Sequence, residues 1–207
     1  DTAMWALVRA MRRYGDLLTD DARNVVMTRL LGRYAGRYVA DASYTDEGFC
    51  GVHVPETENH ILLLESSRYL INELMRLPDG NAPSPGLDNA INGQRQFLLE
   101  LMHLLANEGF YEYNAIPYQR YTYYALANLA DLTADDDPVN SAARLLIKIL
   151  DAKFALGTID LKRNAPLRRR GDDAEISNSN TFFLPKDDGQ AGRWAYFSGA
   201  SVQLDNS

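Results

Sequence analysis

Cysteine is nearly absent from this 207-residue chain. A single residue, Cys50, leaves no internal disulfide to staple the fold and says nothing about redox compartment. A lone thiol usually behaves as a small apolar group, and the nearby His53 does not make Cys50 a convincing nucleophile. Long apolar runs are also lacking: stretches such as Ile61 to Leu64 fall far short of the roughly 20 residues that span a bilayer. The three histidines, His53, His60 and His103, lack the i, i+4 or cysteine-rich spacing of a zinc site. There is no phosphate-binding glycine loop and no G-x-S-x-G elbow. The run Asp135-Asp136-Asp137 lacks the glycine and distal glutamate of a calcium loop. No metal or cofactor is therefore expected. Basic excess is missing too: 21 Lys and Arg stand against 28 Asp and Glu, a net charge of −7. No global field draws nucleic acid or an anionic membrane to such a surface.

What is present is 46% hydrophobic residues in helical register, enough for a core of one domain or one domain plus a piece of another. Apolar residues three and four apart predict helices over about 3–18, 21–39, 58–77, 85–108, 117–132 and 138–157. Asp20 or Asp21, Thr57, Ser84 and Asp137 are the expected N-caps, with Pro85, Pro117 and Pro138 at first helical positions. Gly109 is an expected stop. Short turns between successive helices make three antiparallel hairpins. The expected fold is mainly α, with antiparallel helical hairpins forming part of an α/α toroid over residues 1–160. A charged connector containing Arg168, Arg169 and Arg170 follows, and then short strands at Thr181 to Leu184 and Trp194 to Phe197, a β-rich C-terminal segment over 161–207. The chain opens at Asp1 and enters a helical pattern at once, as expected of a processed chain or a fragment.

In an alternating array the third and fifth helices start on the same rim, so the loops that feed them should converge. Those loops are chemically unusual. The first reads Pro55-Glu56-Thr57-Glu58-Asn59-His60 and leads to Ser66 and Ser67, which share helix faces with Asn59 and His60. The second reads Gly109-Phe110-Tyr111-Glu112-Tyr113-Asn114 and leads to Tyr118, Arg120, Tyr121, Tyr123 and Tyr124, six tyrosines within 14 residues. Tyrosine rings stack on sugar faces while their hydroxyls bond sugar hydroxyls. Against this, a polar group at a helix start often anchors a loop, and Tyr121, Ala125 and Leu129 have the spacing of a core face. His103, among Leu101, Leu104 and Leu105, reads as a packed helix residue.

The pairing of Glu58-Asn59-His60 with a Tyr-Glu-Tyr-Asn loop and Tyr118 resembles the toroid domains of polysaccharide lyases, alginate lyases and heparinase-like lyases in particular, over about residues 55–157. That resemblance implies β-elimination on a uronate-containing polysaccharide or oligosaccharide. It implies Asn59 as neutraliser of the uronate carboxylate, His60 as base or neutraliser, and Tyr118 as acid and base. Glu58, Glu112, Asn114, Arg120 and Tyr113 would bind substrate, Arg120 through a bidentate contact to carboxylate. Further segments of the same parent protein would complete the ring, and a carbohydrate-active protein of this kind is expected outside the cell or in a periplasm. Two other readings stand beside it. A toroid glycoside hydrolase would use Glu58 and Glu112 as carboxylates about 5–9.5 Å apart. A non-catalytic sugar-binding or scaffold module would use the tyrosines alone.

Overall fold

Among the described residues, the three- and four-residue apolar spacing folds into six α-helices. The computed structural model describes residues 3–36, 57–76, 84–113, 115, 118–159 and 162–163, and these are mainly helical. The helices are α1 (Met4–Tyr14), α2 (Asp20–Val25), α3 (Glu58–Arg76), α4 (Gln94–Glu108), α5 (Gln119–Leu132) and α6 (Pro138–Leu156). After α6, Thr158–Ile159 pairs antiparallel with Lys162–Arg163. The expected strands at 181–184 and 194–197, the Arg168 to Arg170 run, Cys50, His53, Asn114 and Pro117 lie outside the described residues.

Several local expectations hold. The Asp137 side chain accepts a hydrogen bond from the Val139 N–H at 2.9 Å, with Pro138 opening α6. Gly109, at φ +89°, ends α4 and donates its N–H to the Leu105 carbonyl. Others are corrected. The cap of α2 is Thr19, whose hydroxyl accepts from the Ala22 N–H at 3.3 Å; Asp20 and Asp21 occupy the first turn, where the helix dipole favours acids. The second helix is not regular to residue 39 either. It passes into a π-helical stretch, Val26–Leu31, and a 3-10 turn, Gly32–Tyr34. A Cβ on Gly32 would sit 2.8 Å from the Met27 carbonyl oxygen, so only glycine fits that junction.

The fourth helix starts nine residues later than expected. Ser84 and Pro85 open only a 3-10 turn, Pro85–Leu87. Side chains then compete with the backbone for its hydrogen bonds. Asp88 accepts from the Ala90 and Ile91 N–H groups at 2.9 and 3.3 Å, and Asn92 accepts from Gln94 N–H at 2.8 Å. Gly93, at φ +86°, makes the left-handed step into α4. On α6, Val139, Ala143, Leu146, Ile147 and Leu150 are buried, whereas Leu145 is 56% exposed. His103 is exposed on α4, its Nε2 3.0 Å from Asn107 Nδ2, and is not a packed residue.

Cross-helix bonds give the direction of each helix. Trp5 stacks on Tyr124, Arg9 bonds Asn128 and Asp131, and Arg12 bonds the Leu132 carbonyl, so α1 and α5 run in parallel. Glu58 meets Glu112 ahead of α5, and Tyr69 meets Asp137 beyond it, so α3 runs the same way. In contrast, α6 runs back along α5, from Asn140 at Ala130 to Asp151 at Tyr123. α4 starts against α3, with Gln94 at Glu65 and Arg95 at Tyr69, and also packs against α6. The α5–α6 hairpin is thus antiparallel, and the three odd-numbered helices are co-directional. α5 is the most enclosed, with 11 of its 14 residues buried. α2 buries none.

A buried ion pair joins the first helix to this core. Arg9 and Asp131 are 2.6 Å apart, their side chains 4% and 2% exposed, and Arg9 also donates to Asn128 Oδ1 at 2.9 Å. Burial lowers the Arg9 guanidinium from its ordinary range, while Asp131 pulls it back up. Removing one partner strands the other charge away from water. Arg9→Ala should therefore lower stability by about 3–5 kcal/mol in urea unfolding, and Arg9→Ala combined with Asp131→Leu should recover a good part of that loss.

Candidate functional site

The rim where α3 and α5 begin is held together by one carboxylate. Glu58, in the first turn of α3, is 8% exposed, and its Oε1 accepts a hydrogen bond from the Glu112 N–H at 2.5 Å. Glu112 lies 1% exposed in a compact turn: Tyr113 N–H donates to Phe110 O, Ala115 N–H to Glu112 O, and Gln119 N–H to Ala115 O. This chain of bonds leads directly from the aromatic loop into α5. Glu58 and Glu112, 54 positions apart, thereby meet as the alternating-helix argument expects.

Asn59 follows Glu58 and is 4% exposed, and its Nδ2 has no hydrogen-bond partner among the described residues. A buried amide without partners costs about 1–3 kcal/mol. His60 is half-buried on the same turn, about 100° further round the helix. Its backbone N–H is bound by the Thr57 carbonyl, which also receives Ile61 N–H. Ser66 and Ser67 are fully buried, yet both hydroxyls donate to Leu63 O, at 3.2 and 2.7 Å. They serve the helix backbone, which settles them as packing residues.

The tyrosines divide into two groups. Tyr118, Tyr121 and Tyr124 fall three apart from the N-cap of α5 onward and form an aromatic string that ends on Trp5. Ring centroids are 6.4 Å apart from Tyr118 to Tyr121, 6.0 Å from Tyr121 to Tyr124 and 4.3 Å from Tyr124 to Trp5. Tyr124 is buried, whereas Tyr118 and Tyr121 are only partly covered. Arg120 lies over the Tyr121 ring at 5.1 Å and donates to its hydroxyl at 3.2 Å. Tyr113 belongs elsewhere: Lys153 of α6 stands 5.6 Å from its ring centroid and 5.9 Å from that of Phe110. The structure thus brings together Glu58, Asn59 and Glu112, and separately Tyr118, Arg120 and Tyr121, while it turns Tyr113 toward α6.

Asp151, which the sequence reading did not single out, lies at the same end. Its Oδ1 accepts from the Tyr123 hydroxyl at 3.3 Å. Burial pushes its carboxyl up to about 6, and the Tyr123 bond only partly opposes this. The available signal was its position four residues after Ile147, on the inner side of α6. Among the described residues no group of three His, Cys, Asp or Glu side chains could hold a metal ion, and no helix is long and apolar enough to cross a membrane. No protein-family model, curated protein or solved structure matches the chain.

Two stability measurements probe this rim. Asn59→Leu, which removes the buried amide at similar volume, should leave stability unchanged or raise it by about 1 kcal/mol. A loss above that amount would make Asn59 a structural residue. Asp151 has a folded pKa above its ordinary 3.8, so its ionisation penalises the fold. That penalty is absent below the ordinary value, grows between about 3.8 and 6, and is fully present above. Asp151→Asn should therefore match the wild type near pH 4 and exceed it by about 1 kcal/mol near pH 7.5, as read from urea midpoints.

Proposed function

We propose that this chain contributes to a carbohydrate-processing site at the rim where α3 and α5 begin, part of a polysaccharide lyase-like α/α toroid acting by β-elimination on uronate polymers. The observation that carries this reading is the Glu58 bond to the Glu112 N–H, with the buried Asn59 Nδ2, which has no partner among the described residues, beside it. It makes one rim of two segments that sequence reasoning selected independently. The co-directional odd-numbered helices support a toroid arc, since such a ring needs inner helices that all present the same end to one rim.

In this reading the Asn59 amide donates to the uronate carboxylate and makes the neighbouring C–H more acidic. His60 removes that proton. A C=C bond forms as the glycosidic C–O bond breaks, and the Tyr118 hydroxyl protonates the departing oxygen. Tyr121 and the Arg120 lying across it offer an aromatic face beside Tyr118 for a sugar ring. The hydrolase alternative, with Glu58 and Glu112 as the pair, fares less well, because the Glu58 carboxylate is already engaged with a backbone N–H as a loop anchor. A sugar-binding module resting on Tyr118 and Tyr121 is the other reading that the aromatic string favours.

Incubation with a panel of uronate polysaccharides decides among them. The lyase reading expects a rise in near-ultraviolet absorbance from the unsaturated product. His60→Ala and Tyr118→Phe should each lower the rate at least about 100-fold, as expected for loss of a general acid or base. Reducing ends released without that absorbance, and lost in Glu112→Gln, would replace the lyase with the hydrolase. Binding to polysaccharide with neither product would leave the module.

A further inference from the structure

The connection that leads into α4 contains the one Asn-Gly pair of the chain, Asn92-Gly93. The fold requires both members. Gly93 sits at φ +86°, in the left-handed region that a Cβ disfavours, and its carbonyl receives the Phe97 N–H as α4 begins. Asn92 is 9% exposed and is held at both ends of its amide. Its Oδ1 accepts from the Gln94 N–H at 2.8 Å, and its Nδ2 donates to the Gly86 carbonyl at 2.8 Å. Its backbone N–H is engaged too, with the Asp88 carbonyl at 2.8 Å. An aspartate would supply the acceptor but not the donor, so the amide itself is needed.

Asn-Gly is also the pair in which a backbone nitrogen most readily attacks a side-chain amide, because glycine places no side chain beside that nitrogen. We propose that Asn92 is a site of spontaneous deamidation, closed in the folded domain and reactive whenever the start of α4 opens. In the reaction the Gly93 nitrogen gives up its proton to solvent and forms a bond to Asn92 Cγ. The Cγ–Nδ2 bond breaks, and Nδ2 takes up a proton and leaves as ammonia. Water then opens the five-membered imide at either of its two carbonyls, which leaves aspartate or isoaspartate at 92. Ring closure draws Cγ toward the Gly93 nitrogen and expels Nδ2, so the bonds to Gln94 and Gly86 must break first. This chemistry is far slower than local opening. Its rate therefore follows the fraction of time the junction is open, as proteolysis of a transiently opened segment does. The product keeps an acceptor for the Gln94 N–H but has no donor for Gly86, so the tie between the Pro85–Leu87 turn and α4 is lost permanently. The chain thereby carries a covalent mark of past opening at this junction.

Ageing of the intact chain tests this, folded in buffer and unfolded in guanidinium at the same mildly alkaline pH. Peptide mapping by mass spectrometry counts aspartate and isoaspartate at position 92. The Gln94 N–H, bonded to the Asn92 side chain, gives a separate measure of opening through its hydrogen exchange in the folded chain. Folding should slow the reaction at least about tenfold, and by the same factor that protects the Gln94 N–H from exchange. Equal rates in the folded and unfolded chain would overturn the proposal. So would a slowing that differs from the Gln94 protection by about tenfold or more, since the reaction would then not be following the opening of the α4 start. Only the unaltered chain is used, so no outcome turns on whether a variant folds.

Discussion

The packing of the domain depends on one carboxylate. Asp137 caps α6 through the Val139 N–H, accepts the hydroxyl of the fully buried Tyr69 at 2.5 Å, and lies 3.6 Å from Arg95 at the start of α4. Three helices are positioned around a single side chain that sequence reasoning recognised only as a cap. A tyrosine with no exposed surface needs a partner for its O–H. Asp137 supplies one, and burial together with that bond raises the Tyr69 hydroxyl above its ordinary range and keeps it protonated. Asn89 extends the junction, donating to the Tyr69 carbonyl and accepting from Asn72.

This end of the molecule follows a consistent electrostatic rule. Helix C-termini leave carbonyl groups unsatisfied and carry partial negative charge. Here Arg12 reaches the Leu132 carbonyl, and Arg144 and Asn140 both reach the Ala130 carbonyl. At the opposite end the N-terminal turn of α3 carries Glu58, an acid where the dipole is positive, and uses it to anchor the loop before α5. Arg9, Asn72, Gln94 and Asn140 all have partners, whereas the buried Asn59 Nδ2 at the N-terminal rim has none among the described residues.

Much of the helical layout was legible in the chain. The boundaries of α3 and α6, the Asp137–Pro138 start and the Gly109 stop follow from local rules, because a cap or a proline acts within a few residues of itself. The meeting of the Glu58 and Glu112 segments followed from counting alternating helices. The start of α4 was not legible, because a proline and a serine resembled a helix start while Asp88, Asn89 and Asn92 downstream had bonds to make with backbone and neighbouring side chains. The exposure of Leu145 and His103 was equally hidden, since spacing gives a face and not its neighbour.

What the amino-acid order determined by itself was the helical class, the antiparallel turn from α5 to α6 and the choice of two loops rich in polar and aromatic groups. These depend on periodicity and on short-range capping, which need no tertiary partner. Only the tertiary structure decided the fate of individual side chains. It engaged Ser66 and Ser67 within their own helix, turned Tyr113 to Lys153, lined Tyr118 and Tyr121 up with Trp5, and surrounded Glu73 with charges from α1, α4 and the turn before α6. Burial and long-range pairing set those outcomes, and both arise only when segments distant in sequence pack together.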